Sequence, residues 1–253
     1  MWKKSWLLFV LFGIGFVLNH AVFATESVQT LLEYRHDVTG DEKPEKITVY
    51  GIPFETGSGF LREIWAIIEL NNGETLRIDY EGGYEPKLEF ADLNHDNVDD
   101  ILFSSPTGGS GGLYNYALHT VKDNKLEEIP LPSPLPIESS FQDNFKASIK
   151  IPGIEETIIL DVSDRKEEYI RLGLYQKNGL LNEPMELMLD PIAMFEVIEI
   201  EGKEGYGLKS FRQVSGAYHA DQLGRVEAEW YYENGEWNPI HVEWGPTGVK
   251  TRK

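Results

Sequence analysis

Two stretches of this 253-residue chain place oxygen-bearing side chains at a spacing that suits a hard cation. In Asp92-Leu93-Asn94-His95-Asp96-Asn97-Val98-Asp99-Asp100, the first, third, fifth and ninth positions are Asp92, Asn94, Asp96 and Asp100, and the seventh offers the Val98 carbonyl. In Asp37-Val38-Thr39-Gly40-Asp41-Glu42-Lys43-Pro44-Glu45, the same positions hold Asp37, Thr39, Asp41 and Glu45, with the Lys43 carbonyl at the seventh. Ca2+ takes about six to eight oxygen ligands, and a tightly coiled loop that turns alternate side chains inward supplies most of them. The expected chemistry is one structural Ca2+ per loop, with no catalytic role. Neither loop is an EF-hand. The twelfth positions are Thr48 and Phe103 where a bidentate glutamate belongs, and strand-forming residues follow each loop where that motif needs a helix.

Other residues suggest catalysis less well. Gly108-Gly109-Ser110-Gly111-Gly112 satisfies the nucleophile-elbow pattern, yet Leu113 to His119 alternates like a strand, and an elbow requires a helix there. A secreted hydrolase using Ser110 or a carboxylate pair is the alternative from another class. His219 and Asp221 would share one side of a strand, so the carboxylate would orient the imidazole, but no nucleophile accompanies them and a structural histidine is the simpler reading. Trp230, Tyr232, Trp237 and Trp244 gather near the C-terminus, either as a sugar-stacking platform or, more simply, as core and cross-strand pairs.

The elements that must position these loops are strands. Ile47 to Tyr50 and Ile101 to Phe103 follow the two loops, and Ile64 to Leu70 and Thr75 to Tyr80 flank the turn Asn71-Asn72-Gly73. Similar punctuation at Asn178-Gly179 and Asn234-Gly235 predicts further hairpins. Strands are expected over Glu156 to Val162, Tyr169 to Gln176, Arg225 to Tyr232 and Trp237 to Trp244, with short helices accommodated at residues 26–34 and 183–197. A degenerate third loop starts at Glu199, with Glu201, Lys203 and Gly207 at the later ligand positions, so no metal is expected there. Loop starts at residues 37, 92 and 199 lie 55 and 107 residues apart, which suggests repeats of one small four-stranded sheet each, one copy lacking a loop. The expected fold is all-β, built of antiparallel hairpin repeats in propeller-like or integrin-like sheets.

Residues 1–24 read as a signal peptide: Lys3 and Lys4, an apolar run from Trp6 to Leu18, and Val22-Phe23-Ala24 as the cleavage site. No second apolar run follows, so no transmembrane anchor is expected in the mature chain. Residues 25–129 form an N-terminal region with both intact loops. The Pro-rich stretch 130–136 reads as a linker, and 137–253 as a C-terminal β region. Removing residues 1–24 takes away two of 23 basic residues and none of 42 acidic ones, leaving a net charge of −21. That balance excludes nucleic acid, which needs a basic stripe. Without cysteine no disulfide staples the fold, so the mature chain rests on its core and its ions.

The paired Asp-x-(Thr/Asn)-x-Asp-x-x-x-(Asp/Glu) loops entering strands resemble the FG-GAP or VCBS repeat. The stretch from Asp190-Pro191-Ile192 to the Tyr232-Glu233-Asn234-Gly235-Glu236-Trp237 hairpin is similar to secreted VCBS-repeat proteins of spore-forming bacilli. Glu42 stands where the repeat carries glycine, and the third loop has lost its acids at two ligand positions. The resemblance implies extracellular calcium binding and β-sheet repeats. The chain is therefore expected to be a secreted, non-enzymatic calcium-binding module of interaction or surface structure, destined for wall, spore surface or medium. Its expected partner is an extracellular protein or a cell-surface glycan.

Overall fold

The computed structural model describes residues 27–109 and 111–246, so the expected signal peptide and Ser110 lie outside the described residues. Fifteen strands form four antiparallel sheets, each a meander of sequential neighbours. The first sheet holds β1 (Gln29–His36), β2 (Glu45–Pro53), β3 (Leu61–Glu69) and β4 (Thr75–Tyr80). The second holds β5 (Lys87–Ala91), β6 (Asp100–Pro106), β7 (Tyr114–Lys122) and β8 (Lys125–Glu128). A three-stranded sheet follows, with β10 (Lys146–Lys150) between β9 (Glu138–Gln142) and β11 (Ile158–Asp161). After a single 3-10 turn and the helix α1 (Lys166–Arg171) comes the last sheet, of β12 (Met188–Glu199), β13 (Tyr206–Ser215), β14 (Gln222–Glu233) and β15 (Glu236–Pro246). The all-β architecture of antiparallel sheets matches the sequence pattern, but one of the four sheets has three strands, no sheet closes into a barrel and the sheets form no propeller ring.

The second sheet is buried on both faces. Ile101 and Phe103 turn toward the first sheet and pack with Ile47, Ile64 and Ile78, and the Phe103 ring stacks on Tyr80 at 3.8 Å between centroids. Leu102 and Leu118 turn the other way, into a core shared with Phe141, Ile149, Leu208 and Trp230. Double coverage explains why Ile101, Leu102 and Phe103 of β6 are apolar in succession instead of alternating. Truncating Phe103 to alanine would cost about 3–5 kcal/mol.

The proline run at 130–136 is held by side chains. Trp237 Nε1 donates to the Pro130 carbonyl at 2.8 Å and Arg212 Nη1 to the Leu135 carbonyl at 2.8 Å. Prolines have no N–H to join a ladder, so donors from the last sheet fix the segment through its carbonyls. The buried cluster is continuous on either side of it, from Ala91 to Trp230.

Helix and strand exchange places at three sites. Residues 26–34 and 183–197, expected to accommodate short helices, fall largely in β1 and β12, where pairing with β2 and β13 outweighs local preference. The expected strand over Tyr169 to Gln176 begins inside α1. Glu167 and Glu168 in its first turn complement the helix dipole, and Gly173, at φ +79°, ends it. Asn178-Gly179 closes only a single bridge between Tyr175 and Leu181, whereas Asn234 (φ +58°) and Gly235 (φ +85°) form the two-residue turn between β14 and β15. Among the described residues, no helix is long and apolar enough to cross a membrane.

Candidate metal centre

The three loops occupy equivalent places. Each joins the first strand of a four-stranded sheet to the second: β1 to β2, β5 to β6, and β12 to β13. The two acid-rich loops also share a backbone path, with left-handed residues at the fourth position (Gly40, φ +75°; His95, φ +64°) and the sixth (Glu42, φ +65°; Asn97, φ +67°). Their hydrogen bonds correspond. The sixth N–H donates to the first aspartate, Glu42 to Asp37 at 2.7 Å and Asn97 to Asp92 at 3.1 Å. The seventh N–H donates to the fifth, Lys43 to Asp41 at 2.9 Å and Val98 to Asp96 at 3.1 Å. The second N–H donates to the ninth carboxylate, Val38 to Glu45 at 3.1 Å and Leu93 to Asp100 at 2.9 Å. Val38 and Leu93 are wholly buried, which anchors each loop to the core beneath it.

Charge distinguishes the ninth positions from every other buried acid described. Four acidic residues are buried: Glu45, Asp100, Asp221 and Glu227. Asp221 lies 2.8 Å from Arg165 Nε, and Glu227 is held by Lys209 at 2.7 Å and by Arg225. Glu45, 1% exposed, and Asp100, 0% exposed, form no ion pair among the described residues. Burial pushes the Asp100 carboxyl up to about 6, against the pull of the Leu93 N–H. Burial likewise raises Glu45; the Val38 N–H opposes the shift, while the Asp41 and Asp37 carboxylates add to it. A buried carboxylate normally meets a basic side chain or a metal.

The first loop has a further member that the sequence reading missed. Asn71 Nδ2, from the turn between β3 and β4, reaches Asp41 Oδ1 at 3.3 Å, the Lys43 carbonyl at 3.2 Å and Glu45 Oε1. Three of the five expected ligand residues thus converge on one point with an amide in it. Amide nitrogen and oxygen exchange places in a flip, so Asn71 Oδ1 turned inward would be another oxygen ligand. Asn71 stands 26 residues from Glu45 and fits no local spacing; its turn role hid it. Thr39 Oγ1 donates to Glu45 at 3.3 Å, and Asp37 accepts from Gly40 and Glu42.

In the second loop Asn94 Nδ2 donates to Asp100 at 3.0 Å, its Oδ1 accepts from Asp96 N at 2.9 Å, and Asp92 accepts from Asp96 N at 3.1 Å. Among the described residues, no three His, Cys, Asp or Glu side chains converge as a metal group. A cation in either loop would need amide, hydroxyl and carbonyl oxygens beside the carboxylates, a donor set that suits Ca2+ better than a transition metal.

The loops stand in a row. His36 pairs with Asp99 at 2.6 Å, which ties the first loop to the second. Tyr206 N donates to the Asp92 carbonyl at 3.0 Å, and His95 Nε2 lies 2.9 Å from the Tyr206 carbonyl, which ties the second to the degenerate third. The Lys203 ammonium sits over Tyr231, 4.5 Å from its ring centre, and 3.8 Å from Glu233.

The other candidates are dispersed. His219 Nδ1 pairs with Asp190 Oδ1 at 2.5 Å and not with Asp221, which accepts from Arg165, from the Tyr169 hydroxyl at 2.5 Å and from Ala217 N. Trp230 is buried with its Nε1 on Ser210, while Tyr232 and Trp237 are half-buried and line a groove beside Pro130, whose carbonyl accepts from Trp237 Nε1.

Comparison with known proteins adds a relationship at this point. Residues 135–245 match the YybI C-terminal domain. The chain is also 27% identical over 224 residues to the uncharacterized protein YybI of Bacillus subtilis (strain 168), covering 85% of each chain. No solved structure matches. No FG-GAP or VCBS repeat is found, and this corrects the resemblance drawn from the loops. Oxygen spacing answers to the needs of a cation and so does not mark ancestry. Both acid-rich loops precede residues 135–245, although the likeness to YybI as a whole spans most of the chain.

Proposed function

We propose that this chain is a secreted, non-enzymatic β-repeat module whose first two sheets are stabilised by Ca2+, serving as an interaction or surface-structure protein. One observation carries the reading: of the four buried acids among the described residues, the two with no basic partner there are the ninth residues of the two loops, Glu45 and Asp100. Asp37, Thr39, Asp41, the Lys43 carbonyl, Glu45 and Asn71 would hold one ion. Asp92, Asn94, Asp96, the Val98 carbonyl and Asp100 would hold the other. The ion supplies positive charge that no lysine or arginine brings to these two carboxylates. With a dissociation constant near ~0.1 mM in about 1 mM free calcium, each site would stabilise the fold by roughly 1.4 kcal/mol. In a chain without cysteine that coupling favours folding after export, where calcium is abundant.

Calorimetric titration of calcium into the full chain, with thermal melts in calcium and in chelator, tests the reading. Binding near two equivalents is expected, with a melting temperature that falls in chelator and one equivalent lost in Asp96→Ala. Absence of calcium binding refutes the proposal.

A further inference from the structure

One face of the second sheet carries a groove of about 430 Å³ that residues of β12 also line. Alternate residues of β5, β6 and β7 turn into it: Lys87 and Glu89, Leu102 and Ser104, Tyr114 and Tyr116, facing Phe195 and Glu196. Tyr116 fixes the inner wall. Its hydroxyl donates to the Phe195 carbonyl at 3.1 Å, and its ring meets Phe195 edge-on at 5.3 Å. Tyr114 stands 5.9 Å from Tyr116 at a 32° tilt, half-buried.

We propose that this groove binds a neutral oligosaccharide, on residues different from the terminal tryptophans. The volume lies in the range of small-molecule sites, roughly 300–1,000 Å³, and the wall is aromatic as a sugar's C–H face requires. Three polar groups of the groove are unengaged: the Ser104 and Tyr114 hydroxyls and the Glu196 carboxylate have no hydrogen-bond or ion-pair partner among the described residues. They match the paired donors and acceptors of sugar hydroxyls. Charge selects a neutral ligand. Lys87 is already paired with Glu89 at 3.1 Å, which leaves Glu196 to repel phosphates and uronates. The groove beside Trp237, walled by the segment from Pro130 to Ser133, is smaller, about 270 Å³. This inference does not depend on the calcium reading.

Saturation-transfer NMR of the full chain with chito-, cello- and manno-oligosaccharides tests it, with oligogalacturonate as the charged control. Transfer to neutral sugars is expected, abolished in Tyr114→Ala and weakened about tenfold in Glu196→Gln, a loss of one polar partner. Glu196 is exposed, so its substitution leaves folding intact even where Tyr114→Ala disturbs it. Trp237→Phe should bind as the parent does. Silence across the panel, transfer that survives in both groove variants, or preference for oligogalacturonate overturns the proposal.

Discussion

Asn71→Asp separates a cation site from a hydrogen-bonded turn. The amide donates to the buried Glu45 carboxylate and lies 3.3–3.4 Å from both Asp41 oxygens. A carboxylate there removes the donor to a charged group, worth about 1.5–3 kcal/mol. It also faces two like charges, each costing about 1 kcal/mol near 4 Å in a water-like dielectric. Rotation of the new side chain into solvent relieves part of this, so a loss of about 3 kcal/mol is expected in chelator. At ~2–4 °C per kcal/mol for a chain of this size, the melting temperature should fall by roughly 6–12 °C. With saturating calcium the new carboxylate becomes a ligand, and the deficit should shrink below about 1 kcal/mol. Asn71→Ala, with neither donor nor ligand, should stay destabilised in both conditions. Differential scanning calorimetry of the three proteins, each with calcium and with chelator, gives the comparison. An Asn71→Asp deficit that is the same in both buffers refutes the reasoning, because the convergent oxygens would then serve only the amide.

Three further outcomes are expected. Tyr169→Phe removes a 2.5 Å hydrogen bond to buried Asp221 and should cost about 1.5–3 kcal/mol, read as a lower denaturant midpoint with unchanged slope; a loss under about 0.5 kcal/mol would contradict the account. Burial holds the His119 imidazole below its ordinary value, against the raising influence of Glu128, so the folded state resists a proton that the unfolded chain accepts near pH ~6.5. Its contribution is therefore full above that pH and lost as the pH falls below it; His119→Phe should flatten the melting curve against pH in that window, and a parallel curve would count against it. His95→Ala, which removes the ring stacked on Tyr231 at 4.1 Å, should speed amide exchange at Tyr206, whose N–H bonds the Asp92 carbonyl; unchanged exchange would show that the loop holds the β12–β13 hairpin without His95.

The match to the YybI C-terminal domain covers residues 135–245, whereas the likeness to the whole YybI protein extends over 85% of the chain and so reaches the region of the candidate ligands. The Arg165, Tyr169 and Asp221 cluster falls inside the matched region and is a structural clamp. A β-carbon on Gly216 would fall on the Asp221 carboxylate and the Tyr169 hydroxyl, which keeps that position glycine.

Local chemistry decided much of this protein before any packing. Alternating apolar residues, Asn-Gly turns and repeated oxygen spacing are properties of neighbouring residues, and they specify strands, the Asn234-Gly235 hairpin and two loops with the same backbone path. Wherever two segments distant in sequence meet, the sequence alone was silent or misleading. The pairing of β12 with β13 overrode an expected helix, and Asp190 rather than Asp221 claimed His219. Asn71 entered the first loop from another hairpin, and the groove beside Tyr114 is lined jointly by the second sheet and β12. The physical reason is the same in each case. Conformational preference acts over a few residues, whereas burial, charge compensation and ligand convergence depend on which surfaces the tertiary fold brings within a few ångströms.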